Sequence, residues 1–412
     1  MSPAAAGSPF AHRDFRRFFA SRIASGVAIQ IFNVGVGWHV YDLTGDPFAL
    51  GLVGLVTFLP SVLLALLTGQ VADRFDRRTV LAAAFALAAL AVAGLLLLQL
   101  VRSRAVLPVF LLVFSFGCAR AFANPAGAAL LPTLVPTDLL RVAVTWNSMA
   151  FQGSIVVGPA LGGLLWLLGG TVVFGAALGG LLLASALVST LGARPPAAAG
   201  EERGLSSLLA GFTYIRARRV ILGAISLDMV AVLLGGATAL LPIFAKDILQ
   251  VGPAGLGALR AAPAVGAVAM ALWLARRPLE RRVGRTMLLA VAVFGLAMAG
   301  FGLSTSFLLS LACLAVAGAA DMVSVIVRQT LVQLETPDAM RGRVAAVNTV
   351  FIGASNELGE FESGVVAGLI GTVPATVLGG LGTIVAAFAW GRLFPELRDR
   401  DKLVPETGTG RA

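Results

Sequence analysis

The chain has 412 residues, of which 58% are hydrophobic and only 13% are charged, and its formal net charge at pH 7 is +10. Its mean hydropathy is +0.91. A soluble domain of this length has no core that could bury so much apolar surface. The composition therefore excludes a soluble protein and indicates a chain embedded in a bilayer.

Long stretches without Asp, Glu, Lys or Arg predict membrane-spanning helices. These stretches are 79–101, 142–193, 286–320 and 363–391. A helix crosses the hydrocarbon core with roughly 20 apolar residues, so several stretches must hold two spans. In chain order we predict twelve spans: 17–41, 48–70, 79–100, 106–128, 142–167, 171–191, 219–241, 254–274, 286–304, 308–331, 344–368 and 374–391. The predicted fold class is all-α integral membrane, with twelve transmembrane helices in two six-helix, pseudo-symmetric halves.

The N-terminus and the cysteines carry no sign of processing or of a cofactor. The apolar segment that follows the polar residues 1–14 is too long for a signal-peptide core and has no small-residue cleavage site behind it, so no cleavage is expected. The two cysteines, Cys118 and Cys313, fall inside predicted spans of opposite halves. They predict neither a disulfide framework nor a cysteine metal site, and no metal or cofactor is expected.

Basic residues predict the orientation of the spans. If the N-terminus is inside, the outer loops carry only Arg102, Arg104 and Lys246. The inner segments carry many more basic residues: Arg13, Arg16, Arg17, Arg74, Arg77, Arg78, Arg141, Arg194, Arg203, Arg216, Arg218, Arg219, Arg276, Arg277, Arg281, Arg282, Arg285, Arg341 and Arg343. The positive-inside rule therefore places both termini in the cytoplasm. Because these residues are scattered over many short loops, topology explains the net charge, and nucleic-acid binding is not expected.

The longest polar interruption lies near the middle of the chain. It predicts an N-terminal half at 1–192, a cytoplasmic linker at 193–218, a C-terminal half at 219–394 and a cytoplasmic tail at 395–412. Helical spacing of four apolar residues predicts an amphipathic helix on the membrane surface within the linker, and a simple tether is the alternative. These residues are Leu205, Leu208, Leu209 and Phe212.

The two halves resemble each other in sequence. At a shift of 201 residues Asn147 matches Asn348 and Gly158 matches Gly359. At a shift of 207 the segment 73–79 aligns with 280–286. The loop between the eighth and ninth spans is therefore a degenerate copy of the loop between the second and third. An even number of spans in each half makes the repeats parallel.

The loop between the second and third spans, 69–78, is the most informative motif. Gly69 lets two helices approach closely, and Asp73 can face a helix N-terminus or an arginine. Three further residues pin the loop at the cytoplasmic surface: Arg74, Arg77 and Arg78. The pattern resembles the loop 2-3 signature of the major facilitator superfamily, Gly-x-x-x-Asp-Arg-x-Gly-Arg-Arg, with Asp76 in place of the second glycine. The resemblance implies a gate that locks the outward-facing state; a loop that only sets topology is the alternative.

In that superfamily every third helix lies outside while the others line a central cavity. The third, sixth, ninth and twelfth predicted spans carry no charged residue, as expected if charges avoid lipid-facing helices. The candidate residues for translocation and proton coupling lie on the other spans: Gln30, Asn33, Arg120, Asp228, Asp321, Arg328, Glu357, Glu360 and Glu362.

Small residues and one proline recur in the fifth span. They are Gly153, Gly158, Pro159, Gly162 and Gly163. Small residues permit tight helix packing, and Pro159 removes one helix hydrogen bond and invites a bend. The run resembles the antiporter signature of drug exporters, and ordinary helix packing is the alternative.

Charged residues deep in the spans are expected to be paired. Arg120 lies about midway along the fourth span, where an unpaired charge costs roughly 2.5 to 3.5 kcal/mol on insertion scales. Asp321 and Arg328 share one face of the tenth span, while Asp228 stands alone in the seventh. These residues are candidates for ion pairs lining the cavity. In the first span Arg22 either belongs to a polar stripe or snorkels to the cytoplasmic surface.

Three carboxylates lie deep in the eleventh span. Glu357 and Glu360 lie on one side of the helix and Glu362 points elsewhere. Carboxylates crowded in a medium of low dielectric can bind and release protons near neutral pH, as proton-coupled transport requires. The alternative is that one or two of these acids stay neutral or pair with Arg120 or Arg328. Five deep acids against two deep arginines favour a cationic substrate.

The whole-chain pattern, including 321–328, 336–344 and 356–364, is similar to the enterobactin-exporter-like branch of the superfamily. The resemblance implies proton-driven efflux of drugs, siderophores or other small molecules by alternating access. The alternatives are an importer or uncoupled facilitator of the same fold, or a lipid flippase or membrane scaffold. With two histidines and no nucleophile–base pairing, an enzyme is not expected.

The expected partners are a small-molecule substrate, protons and the lipid bilayer, and the chain is expected to be a monomer. The near-absence of lysine beside abundant arginine, alanine, leucine and glycine is typical of a GC-rich bacterial genome. The expected location is therefore the bacterial cytoplasmic (inner) membrane.

Overall fold

The structure is a computed structural model that describes residues 8–192 and 205–402. Within these ranges the chain forms helices and no β-strand. The helices of the first range are α1 (Arg13–Thr44), α2 (Pro47–Leu63), α3 (Ala65–Arg74), α4 (Arg77–Leu100), α5 (Val106–Leu130), α6 (Leu140–Trp166) and α7 (Gly170–Ser189). Those of the second range are α8 (Leu205–Ala217), α9 (Arg219–Gly235), α10 (Leu241–Ile243), α11 (Gly252–Arg276), α12 (Val283–Leu303), α13 (Phe307–Glu335), α14 (Asp338–Ile370), α15 (Thr372–Leu393) and α16 (Pro395–Arg398).

All twelve predicted spans fall on helices. Ten helical segments of the described chain are long and apolar enough to cross a membrane by length and composition. The two other predicted spans correspond to the pair α2 and α3 and to α14. The glutamates of the predicted eleventh span lie within α14, and charged side chains lower the hydropathy of a helix. The helices thus agree with the predicted twelve-span fold.

The second predicted span, 48–70, is two helices rather than one. The backbone departs from helical geometry at Leu64, one turn after Pro60. A proline inside a helix removes one backbone hydrogen bond and crowds the turn before it, so Pro60 does not account for the departure at Leu64, whose N–H still donates to the Pro60 carbonyl at 2.8 Å. Gly117 of α5 lies against the Thr57 carbonyl and the Pro60 ring, so this part of α2 is a point of close helix approach.

By their contacts the described residues form two compact units. The first contains 8–192 and 242–261, and the second contains 205–241 and 262–402. The parts of the predicted linker and tail at 193–204 and 403–412 lie outside the described residues. The domain boundaries given by the sequence stay a prediction.

The first unit is built on α1, which packs against α6 and α7, while α4 packs against α5 and α7. Phe32 of α1 and Phe116 of α5 are buried and stacked, with ring centroids 3.8 Å apart. In the second unit α12 packs against α13 and α15, and α9 packs against α14 and α15. Gly295 of α12 and Gly380 of α15 face each other, so these two backbones come into direct contact.

The helix predicted in the linker is present as α8, although it also packs against protein. Gly211 lies against the Arg343 carbonyl of α14, and the rings of Phe212 and Phe351 are stacked with centroids 6.3 Å apart. The Tyr214 hydroxyl donates to the Glu335 carbonyl at 2.8 Å. Leu209 is exposed, and the side chains of Leu205 and Leu208 lie outside the described residues.

Residues 395–402, here called the C-terminal segment, fold back on the second unit. Leu397 is fully buried in a cluster with residues of α9, α12 and α13. Asp401 accepts a hydrogen bond from the Arg282 backbone N–H at 3.0 Å and lies 3.6 Å from Arg281 Nε. A hydrogen bond from the Arg398 side chain lowers the pKa of the exposed Asp399 carboxyl below its usual range. The segment thus supplies acids to the basic loop before α12.

Candidate transport site

A buried ion pair connects α9 and α13. Arg328 Nη2 lies 3.1 Å from Asp228 Oδ2, and both side chains are almost completely buried. Arg328 Nη1 also donates to Asn348 Oδ1 of α14 at 3.2 Å. The predicted ion pairing of these charges is therefore present, with Asp228 as the partner of Arg328.

A second carboxylate accompanies this pair. Asp321 lies on the same face of α13 as Arg328, and its charge interacts with those of both Asp228 and Arg328. Ser324 lies between them on that face, and its buried Oγ has no hydrogen-bond partner among the described residues. We call Asp228, Asp321 and Arg328 the charged triad.

When all three groups are ionised, the charged triad has a net charge of −1. Asp228 pairs directly with the Arg328 guanidinium, and both are buried, where electrostatic interactions are strong; Asp321 is half-buried on the same face of α13. One added proton makes the triad neutral, and loss of that proton leaves a net charge of −1. Interacting groups of this kind titrate as a unit, so the proton belongs to the pair of carboxylates rather than to one of them.

The three predicted glutamates lie on α14, and all are half-buried. Ser355, Gly359 and Ser363 are buried, and Gly359 packs against Val232 and Leu233 of α9. At 100° per residue, Glu357 lies nearly opposite this stripe and Glu360 to one side. The sequence left open whether one of these glutamates pairs with Arg328. Because Arg328 pairs with Asp228, no glutamate is needed to compensate its charge.

The polar residues of the first unit are spread over α1, α5 and α6. Gln30 and Asn33 lie on α1, and both are half-buried. Arg22 Nε donates to Asn147 Oδ1 of α6 at 3.3 Å, so its guanidinium points into the bundle. Arg120 lies on α5 and has interactions of its own.

The small residues of α6 face two different helices. Gly158 lies against the Gln30 side chain and the Val27 carbonyl of α1, and Gly162 lies against Val34 and Ile31. Gly163 lies against Gly257 of α11, whereas nothing lies within 4 Å of a side chain at Gly153. α6 continues as one helix through Pro159. Four of the five motif residues are buried, so the motif serves close packing at least in part.

The arginines of the loop 69–78 bind the ends of neighbouring helices. Arg77 Nη1 donates to the Ala129 carbonyl at the end of α5 at 3.0 Å, and Arg78 Nη1 donates to the Leu191 carbonyl after α7 at 2.6 Å. Cations at helix C-termini satisfy free carbonyls and complement the helix dipole. Arg74 is exposed, and the burial of Gly69 and the side chain of Asp73 lie outside what the structure describes.

Asp76, the departure from the superfamily pattern, has a structural role. It is the N-cap of α4, where its Oδ1 accepts from the Arg78 backbone N–H at 2.9 Å. Its Oδ2 lies 3.6 Å from Arg78 Nε. An aspartate at this position therefore stabilises the start of α4 in place of the usual glycine.

Sequence reasoning missed a polar cluster that joins α1 to the π-helix Phe244–Ile248. Tyr41 donates a short hydrogen bond to Asp247, and Lys246 Nζ lies 2.5 Å from Asp42 Oδ1. The sequence contains a signal for this cluster. Asp42 lies just after the first predicted span and Lys246 lies shortly after the seventh, so both are expected near the outer surface. Lys246 is also one of three basic residues in the predicted outer loops.

Comparison with known protein families decides what this helical arrangement is. The model of the transmembrane secretion effector family matches residues 4–406. The chain belongs to this family. As the loop 69–78 predicted, it is a transporter of the major facilitator superfamily. Its relatives and its fold are those of transporters and not of enzymes.

Known members of this group of transporters are similar along almost the whole chain. The enterobactin exporter EntS of Shigella boydii serotype 18 is 29% identical over 379 residues, which cover 92% of this chain and 87% of that protein. The enterobactin exporter EntS of Escherichia coli O139:H28 gives the same identity and coverage. The predicted resemblance to the enterobactin-exporter-like branch is confirmed.

Solved structures show the same fold. The bacterial homolog of the human lysosomal transporter Spinster, in an inward-facing and unoccupied conformation, aligns with a TM-score of 0.72 at 15% identity, covering 93% of this chain and 98% of that chain. The nucleoside transporter NupG aligns with a TM-score of 0.69 at 17% identity, covering 93% and 99%. This transmembrane secretion effector family member is therefore a multi-pass membrane protein with the predicted twelve-helix fold.

Proposed function

We propose that this chain is a proton-coupled exporter of small molecules that works by alternating access. The family and the similarity to enterobactin exporters support efflux. The observation that supports proton coupling is the charged triad, in which Asp228 pairs with Arg328 and a second carboxylate, Asp321, lies within electrostatic range of both.

The charged triad supports proton coupling because its charge changes with one proton. The site is neutral when protonated and negative when deprotonated. The electrostatic energy of the negative form depends on its surroundings, which differ between the outward-open and the inward-open state. A change in access then changes its affinity for a proton. We assign the exchangeable proton to the pair Asp228 and Asp321, with Arg328 keeping one carboxylate ionised.

The glutamates of α14 are the second candidate for the proton-binding group. They retain this role as a hypothesis because they are half-buried on a helix that contributes Asn348 to Arg328. Glu362 is included with Glu357 and Glu360. Gln30, Asn33 and Arg120 are proposed to contact the transported molecule.

We also propose that both chain ends lie in the cytoplasm and that the membrane is the bacterial inner membrane. Under this orientation Arg77 and Arg78 bind helix ends at the cytoplasmic face, and Tyr41, Asp42, Lys246 and Asp247 lie at the outer face. The loop 69–78 then stabilises the cytoplasmic ends of α5 and α7, which supports its proposed role as an inner gate. The protein is proposed to act as a monomer.

The test is substrate-dependent proton flux into liposomes that contain the purified protein and an interior pH dye. Enterobactin serves as the probe, since relatives export it. The wild-type protein should move protons when the probe is added, and Asp321→Asn should reduce this flux at least tenfold while labelled probe still equilibrates. Asp46→Asn is the matched control, because Asp46 is an exposed N-cap whose acceptor role asparagine preserves.

The variants also separate the candidates. If Glu357→Gln with Glu360→Gln abolishes the flux and Asp321→Asn does not, the proton-binding group is on α14 and the assignment to the charged triad is wrong. If the wild type equilibrates the probe without any proton flux, the protein is an uncoupled facilitator. If only labelled lipid crosses the bilayer, it is a flippase.

A further inference from the structure

Arg22 is an arginine without an acid. It lies on α1, half-buried, and its Nε donates to the neutral side chain of Asn147 at 3.3 Å. Among the described residues no carboxylate lies within ion-pair distance of it. A guanidinium removed from water is costly unless its charge is compensated, and an amide oxygen supplies a hydrogen bond but no charge.

The second half of the chain shows the same pair with its charge compensated. Asn348, which matches Asn147 at the shift of 201 residues, accepts a hydrogen bond from Arg328 at 3.2 Å. There the arginine also binds Asp228 at 3.1 Å. An arginine thus donates to the matching asparagine in both halves, from α1 in the first and from α13 in the second, and in the second half Asp228 compensates its charge.

The surroundings of Arg22 leave its terminal nitrogen beside a small residue. A Cβ on Gly127 of α5 would lie 3.6 Å from Arg22 Nη1, and the next nearest atoms belong to Leu81 at 3.9 and 4.0 Å. An alanine at position 127 would make ordinary van der Waals contact with the guanidinium. The hydrogen bond to Asn147 orients Nε towards α6, so Arg22 does not extend along α1 to the surface as a snorkelling arginine would.

We propose that Arg22, oriented by Asn147, binds an anionic group of the transported molecule, a carboxylate or a phosphate. This inference rests on the proposed export function and specifies its substrate class. The substrate's anion supplies the negative charge that Asp228 supplies to Arg328 in the second half. Guanidinium groups bind carboxylates and phosphates through paired hydrogen bonds, which gives the selectivity. An anionic substrate differs from the cationic one that the excess of deep acids over deep arginines in the sequence favours. That excess overstates the free negative charge, because Arg328 compensates Asp228.

The probes are salicylate and salicylamide, which share a ring and differ in a carboxylate against a neutral carboxamide. Binding to the full chain is measured by calorimetry in phosphatidylcholine nanodiscs, without any gradient. Wild type should bind salicylate at least tenfold more tightly than salicylamide, and Arg22→Gln should remove this preference. Arg22→Lys should keep part of it, because the charge stays but the paired geometry is lost. Arg104→Gln, the same change at an exposed loop position, should bind as the wild type does.

Three results would overturn the proposal. They are equal binding of the two probes by wild type, an unchanged preference in Arg22→Gln, or loss of the preference when anionic phosphatidylglycerol replaces phosphatidylcholine. The last result would mean that the site holds a lipid headgroup. Arg22→Lys keeps the test valid if Arg22→Gln does not fold. Since no proton gradient is present, failure of proton coupling would leave this result intact, and equal binding would leave the coupling intact.

Discussion

Individual charged residues in this protein are compensated by specific partners. The pair of Arg328 and Asp228 is buried, and Arg328 Nε has no hydrogen-bond partner among the described residues. Replacing a buried ion pair by apolar residues is often neutral or even stabilising, whereas removing one partner leaves an uncompensated charge. The pair therefore gives little net stability and is better explained by function.

This argument predicts a non-additive effect on stability. Arg328→Gln should lower the free energy of unfolding by roughly 3–5 kcal/mol, because it leaves the buried Asp228 carboxylate without its partner. Asp228→Asn should cost less, because Asp321 still supplies a negative charge near Arg328. Asp228→Leu combined with Arg328→Met should cost much less than the sum of the single changes. The measurement is chemical or thermal unfolding of the purified variants in detergent. Additive costs would show that the two charges do not interact.

Sequence reasoning identified the members of the charged triad but not their pairing. Asp321 and Arg328 lie seven residues apart, so helical geometry alone places them on one face. Asp228 lies about 100 residues earlier by their numbers, and its contact with Arg328 depends on how α9 packs against α13. Such packing follows from side-chain shape along whole helices, and spacing in the sequence does not contain it.

At the scale of elements, glycines determine which helices approach closely. Gly158 and Gly153 belong to the same motif of α6, but only Gly158 faces another helix. At Gly158 a Cβ would lie 2.5 Å from the Cβ of Gln30, whereas nothing lies within 4 Å at Gly153. The two positions therefore separate packing from helix propensity.

Gly158→Val should destabilise the protein by about 1–3 kcal/mol, because extra methyl groups at a tight contact force helices apart. Gly153→Val is the matched control, with the same change at an open position, and should be close to neutral. Unfolding of both variants in detergent measures the difference. Equal effects of the two changes would contradict the close approach of α1 and α6.

The C-terminal segment is an element whose contacts the sequence did not predict. The sequence identified the loop before α12 as a degenerate copy of loop 2-3. The acid that binds this loop is Asp401, more than 100 residues further along the chain by its number. In the first half Asp76, within the loop itself, caps α4. A carboxylate supplied by a distant segment leaves no signal in the local pattern.

Asp401→Ala should therefore lower stability by about 1 kcal/mol, the usual net contribution of one hydrogen bond. Asp401→Asn keeps the acceptor for the Arg282 backbone N–H and should lose less. Thermal unfolding of the two variants beside the wild type provides the comparison. If the alanine variant is as stable as the wild type, the C-terminal segment does not stabilise the loop before α12.

At the scale of the whole molecule, the twelve spans were predictable because each is a run of about 20 apolar residues bounded by charged or turn residues. The break at Leu64 and the packing of α8 against α14 were not, because they depend on local backbone geometry and on tertiary contacts. The orientation of the spans in the membrane stays a prediction based on the distribution of arginines.

Cysteine labelling tests this orientation. In a variant lacking Cys118 and Cys313, Ser103→Cys, in the loop between α4 and α5, should react with a membrane-impermeant maleimide added to intact cells. Ser8→Cys should react only after the membrane is permeabilised, since the N-terminus is proposed to be cytoplasmic. The reverse pattern would show that the spans are inserted in the opposite direction.

The central claim, proton-driven export, is tested most directly by accumulation of substrate against its own gradient. Inside-out membrane vesicles with an acidic interior would be given labelled enterobactin outside. Protons leaving through the protein should drive the label to an interior concentration above the exterior one, and a protonophore or Asp321→Asn should reduce it to equilibrium. If the wild type accumulates no more label with a pH gradient than without it, proton-coupled export by the charged triad is wrong.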